Sequence, residues 1–154
     1  MVLRRKGAIV PEWLPIPYRS WYNTPMADVI LDTINIAPLL KAKAMLDEAL
    51  EIAQSPLEKT GAIQCFEYCY ELAWKTMRRI LLKKGLETAS PRDTFRAAAT
   101  NRLIEDPEVW FEFIKKRNLT THTYNLALAE KIFCFLPDFQ SELDKLVAHI
   151  QSIE

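Results

Sequence analysis

Three glycines, three cysteines and two histidines are all that 154 residues contain of these types. Scarce glycine beside abundant alanine, leucine, lysine and glutamate points to helices. No strand pattern of any length and no internal repeat can be read. The cysteines, Cys65, Cys69 and Cys134, are odd in number. With no recognisable signal peptide, that predicts reduced thiols and a cytoplasmic protein. Cys65 and Cys69 share one helical face at a spacing of four, which suits two small core residues. Structural zinc takes four ligands, and His122 is the only tempting addition, so neither metal nor cofactor is expected.

Net charge is also lacking, since 20 basic residues balance 20 acidic ones. No global field draws the chain to nucleic acid or an acidic membrane, and any such contact must use a local patch. No apolar run approaches a membrane span. The opening MVLRRKGAIVPEW has a basic start, but its apolar stretch is only Ala8-Ile9-Val10, too short for a signal peptide.

What is present divides the chain in two. The first 25 residues hold four of nine prolines and two of four tryptophans, Trp13 and Trp21. Such proline density forbids a helix. Residues 1–27 are therefore expected to form a flexible or loosely docked extension, with translation starting at Met26 as an alternative. Residues 28–154 carry helical punctuation. Pro38 opens a helix to about Ala53, with Leu39, Leu46, Leu50 and Ala53 as its apolar stripe. Ser55-Pro56 restarts the chain into a helix from about Leu57 to Lys84, closed by Gly85. Ile63, Phe66, Tyr70, Ala73, Trp74, Met77 and Leu81 form its stripe, and Glu71 pairs with Lys75 on its surface. Ser90-Pro91-Arg92-Asp93 starts a third helix, ending near Thr100. Asp106-Pro107-Glu108 starts a fourth, fading near Arg117. A last helix begins between Thr121 and Leu126 and runs to about Ser152, with Pro137 kinking or splitting it. The predicted fold is all-α, an antiparallel up-and-down bundle of four to five helices.

Residues 117–124, RNLTTHTY, concentrate the chemistry. On one unbroken helix Arg117 and His122 would diverge by about 140°. A bend at Asn118 to Thr121, or a second chain, could bring them together. An arginine and an imidazole suit a phosphodiester: one steadies phosphate charge, the other moves a proton near neutral pH. From spacing alone a plainer alternative stays open, with Arg117 paired to a carboxylate and His122 capping a helix. Lys75, Arg79 and Lys83 make an i, i+4 basic stripe. With Arg92 they are candidates to line a phosphate groove beside Arg117. Glu67, Glu71, Glu87 and Asp93 dilute that positive charge.

IQCFEYCYELAWKTMRRIL, ASPRDTFRAA and WFEFIKKRNLTTHTYN resemble the HEPN family, in the branch of nucleotidyltransferase substrate-binding proteins. The resemblance runs from about Ile34 to the C-terminus. It implies a helical bundle that dimerises and a separate partner, a minimal nucleotidyltransferase, often as a toxin–antitoxin pair. It implies a metal-independent ribonuclease toxin with Arg117, Asn118 and His122 as catalytic residues. It further implies that the partner silences the toxin by AMP transfer to Tyr124. The other reading is a non-catalytic subunit that docks the nucleotidyltransferase and helps hold its substrate.

Overall fold

The computed structural model describes residues 29–153. The expected extension over residues 1–27, and a start at Met26, lie outside the described residues. Five helices follow a small turn: α1 (Ala37–Ile52), α2 (Pro56–Lys83), α3 (Pro91–Thr100), α4 (Pro107–Leu119) and α5 (Leu126–Gln151). A single 3-10 turn, Thr120–His122, joins α4 to α5. The all-α bundle is as predicted, with one correction. Val29–Ile30 and Ile34–Asn35 form two-residue antiparallel strands, β1 and β2. Leu31 and Asp32 turn between them with positive φ. Ile30, Ile34 and Ile36 are buried, so the turn tucks apolar side chains against the bundle.

Side-chain caps mark most helix starts. Ser55 and Glu58 form a reciprocal capping box at α2: Ser55 Oγ accepts from the Glu58 backbone, and Glu58 accepts from the Ser55 backbone at 2.8 Å. Ser90 caps α3, Asp106 caps α4 and Asn125 caps α5. A proline in the first turn of α1 to α4 costs no helical hydrogen bond there. Gly85 follows α2 at a φ of 78°, where a β-carbon would be strained.

α2 is the central helix. It packs against α1, α3 and α5, and meets α4 near the latter's C-terminal end. Its buried face carries Ile63, Phe66, Tyr70, Ala73, Met77 and Leu81. An aromatic cluster fills the middle of the bundle. Phe139 stands 4.7 Å from Phe66 and 5.0 Å from Phe113, centroid to centroid, both edge-on. Trp110 lies 5.1 Å from Phe95 and 5.2 Å from Phe113. Cys65 and Cys69 are buried in the same core, where desolvation raises both thiol pKa values and keeps them protonated. Pro137 neither splits α5 nor ends it; the helix runs through. Leu136, Phe139 and Leu143 are fully buried on either side of it. Their packing outweighs an interior proline's cost of about 3 kcal/mol.

Candidate functional site

RNLTTHTY lies where α4 ends. Leu119 is the last α-helical residue, Thr120 to His122 tighten into a 3-10 turn, and Asn125 caps α5. The chain thus bends where its polar residues predict. Thr121 Oγ1 donates to the Asn118 carbonyl at 3.2 Å, satisfying one of the orphan acceptors that a helix end leaves. Thr120 is buried, and its hydroxyl faces both the Glu67 carboxylate and the Arg117 carbonyl. One proton serves two acceptors there, so the turn is drawn onto α2.

Glu71, one turn beyond Glu67 on α2, holds the next contact. Its Oε1 lies 3.7 Å from Arg117 Nε. Its Oε2 accepts from Trp74 Nε1 at 3.1 Å and lies 3.5 Å from Lys75 Nζ. The expected Glu71–Lys75 pair therefore exists, and the same carboxylate also receives Arg117. Arg117 is only one-third exposed. Beneath it, burial pushes the Tyr70 phenol up to about 12; neighbouring Glu71 adds to the rise and Arg117 opposes it.

His122 and Tyr124 meet directly on the outer side of the turn. His122 Nδ1 is 3.2 Å from the Tyr124 hydroxyl, and the rings stand edge-on with centroids 5.8 Å apart. Tyr124 is 81% exposed, which leaves its hydroxyl accessible to a macromolecule. Within the described residues of this single chain no hydrogen bond joins Arg117 to His122. Asn118 is exposed, and its side-chain amide has no hydrogen-bond partner among the described residues.

The candidate phosphate ligands separate into two places. Lys75 and Arg79 line a cleft of about 780 Å³ at the C-terminal part of α2. Trp74, Arg78 and Leu82 share that helix wall, and Leu86 to Ala89 close the cleft from the following loop. Arg92 is not among its lining residues. Its guanidinium stacks over Phe111 at 4.3 Å, with Arg96 over the same ring at 5.5 Å. Glu67, Glu71 and Trp74 were not singled out by sequence reasoning as parts of the site. Their i, i+4 and i+3 spacing puts them on one stripe of α2, but which neighbour that stripe meets is a tertiary fact.

Among the described residues no group of three His, Cys, Asp or Glu side chains is placed to hold a metal ion. No described helix is long and apolar enough to cross a membrane.

Residues 34–152 match the family described as nucleotidyltransferase substrate binding protein like. The chain belongs to that family. One relative, from Haemophilus influenzae, is named "Probable ribonuclease HepT". It is 33% identical over 96 residues, covering 59% of this chain and 66% of the relative, just under two thirds of its length. A solved structure from Thermus thermophilus is 37% identical, with a TM-score of 0.68 over 73% of this chain and 98% of that one. A second, from Haemophilus influenzae, is described as revealing the fold of a substrate binding domain of a nucleotidyltransferase. It is 27% identical, with a TM-score of 0.70 over 77% of this chain and all of that one. Membership implies a nucleotidyltransferase partner. The family match begins at Ile34, the residue where the HEPN-like motifs begin to be recognisable.

Proposed function

We propose that this chain is a metal-independent ribonuclease of the HEPN type, acting as a homodimer and silenced when its nucleotidyltransferase partner transfers AMP to Tyr124. The observation that carries the reading is the hydrogen bond between His122 Nδ1 and the exposed Tyr124 hydroxyl. When the phenol accepts from Nδ1–H, the Nε2 lone pair is left free to act as a base. His122 then takes the proton of an RNA 2′-hydroxyl, whose oxygen attacks the adjacent phosphorus. The bond to the 5′ oxygen breaks, and His122 returns the proton to that leaving oxygen. The products are a 2′,3′-cyclic phosphate and a 5′-hydroxyl. Arg117 neutralises the charge that builds on the phosphate oxygens, and Asn118 contributes a polar group beside it. Pairing Arg117 with His122 of a second copy supplies the convergence that one chain lacks.

The same hydrogen bond explains the silencing. Tyr124 Oη attacks the α-phosphorus of ATP, pyrophosphate leaves and the phenolic proton goes to solvent. The product holds a phosphodiester anion against His122, where the substrate phosphate would otherwise sit. RNA cleavage by purified protein in a metal chelator tests this. The wild type should cleave and His122→Ala should lose about 10²- to 10⁴-fold; equal rates for the two would end the catalytic assignment. After incubation with partner and ATP, mass spectrometry should find one adenylyl group, on Tyr124.

A second reading is favoured by the α2 cleft and by the description of the 27%-identical neighbour. In it the chain holds a substrate for the nucleotidyltransferase and cleaves nothing. It would emerge from the same incubation unmodified and would raise the partner's activity on a third molecule.

A further inference from the structure

We propose that the cleft at the C-terminal part of α2 is a nucleotide subsite, taking one phosphate and one base. This deepens the ribonuclease reading and rests on it for the choice of ligand, but not on His122 being catalytic.

The first observation is charge. Lys75, Arg78 and Arg79 line the cleft against a single carboxylate, Glu87. Lys75 has Glu71 as a partner at 3.5 Å. Arg78 and Arg79 are exposed and make no ion pair among the described residues. Elsewhere Lys43, Lys59, Lys115 and Lys145 all meet carboxylates within 2.8 Å. In a chain of zero net charge, two unneutralised guanidiniums on one concave wall form a local anion site. Guanidinium is also the cation best shaped for phosphate.

The second observation is the platform. Trp74 lines the same wall, and its Nε1 is tied to Glu71 at 3.1 Å, which fixes the orientation of the ring. Leu82 and Leu86 stand exposed beside it. A pinned aromatic with apolar flanks and adjacent arginines suits a base and its phosphate, the combination that single-strand binders use. The third observation is continuity. Glu71 touches both Trp74 in the cleft wall and Arg117 at the turn. A strand passing Arg117 would therefore run straight along the Lys75–Arg79 stripe.

The chemistry is shared by an RNA strand and a free nucleotide, so both are used as probes. A short fluorescein-labelled oligoribonucleotide is titrated onto the full chain carrying His122→Ala, which leaves the probe intact. AMP serves as competitor. Arg78→Ala with Arg79→Ala should weaken binding at least tenfold. It should also lower the slope of log affinity against log salt by about 1.4, for two lost contacts on a single strand. Glu87→Gln should tighten binding about twofold, a gain that loss of structure cannot imitate. Competition by AMP that depends on both arginines would identify a free nucleotide as a sufficient ligand; arginine-dependent binding of the oligomer alone would identify the strand.

Unchanged affinity in the arginine pair, with circular dichroism unaltered, would overturn the proposal. So would an equal loss in a control pair, Lys41→Ala with Lys131→Ala, because net charge alone would then explain it. Loss of nucleotidyltransferase binding with intact RNA binding would overturn it in favour of a protein-docking surface. Arginine-dependent binding in a wild type that cleaves nothing would sink the ribonuclease reading and leave the subsite standing.

Discussion

At the residue scale, the behaviour of the turn depends on one phenol and one imidazole. Replacing Tyr124 by phenylalanine removes the hydroxyl that fixes the His122 tautomer but keeps the ring. A single orienting hydrogen bond is worth about 1 kcal/mol. Tyr124→Phe should therefore keep cleavage to within about tenfold in a kinetic assay while accepting no adenylyl group. Tyr70 gives a separate, pH-dependent prediction. Its phenol is raised from 10.0 to about 12 in the folded chain, chiefly by burial. The folded state thus holds a proton that the unfolded chain begins to lose near pH 10. This contribution to stability is whole below pH 10 and gone above about 12. Chemical denaturation across that window should show Tyr70→Phe losing less stability than the wild type, by at most about 2 kcal/mol.

At the element scale, the link between α2 and the turn decides whether Arg117 and His122 are presented at all. The Thr120 hydroxyl donates to Glu67 and is buried. Thr120→Val keeps the shape and leaves that carboxylate without its donor. It should cost about 1–3 kcal/mol, seen as a lower denaturant midpoint with an unchanged slope. Ser55→Ala should remove the α2 capping box for about 1 kcal/mol. The helix starts were legible because serine or aspartate followed by proline is a local signal, and so was the bend between Asn118 and Thr121. The β1–β2 turn was not legible, since two-residue strands are too short to show a period. Nor could Glu67 and Glu71 be recognised as holding the turn. Counted along the chain they only dilute a basic run; their role appears when that stripe of α2 meets the end of α4. Arg92 shows the same limit from the other side. Its spacing in sequence suggested a groove shared with Lys75 and Arg79, whereas its guanidinium rests on Phe111.

At the scale of the whole molecule, the site stands on a rigid aromatic core and a centre-placed helix. Phe139 packs on Phe66, Phe113 and Trp110 at once. Phe139→Ala should cost about 3–5 kcal/mol in a denaturant melt, the loss expected for emptying a large buried site. The core stripes predicted from helical spacing face inward, because a 28-residue amphipathic helix such as α2 has only one way to bury its apolar face. The site was legible as a group of residue types but not as an arrangement. Arg117 and His122 lie on either side of the bend, each held by a different partner. The account therefore stands on their working together on a phosphate and on Tyr124 controlling them. The direct test is RNA cleavage by the wild type and by Tyr124→Phe, each before and after incubation with the nucleotidyltransferase and ATP. The account predicts that the wild type cleaves and then stops, while Tyr124→Phe cleaves throughout. A wild type that stays active after adenylylation, or a Tyr124→Phe protein silenced to the same extent, would contradict it.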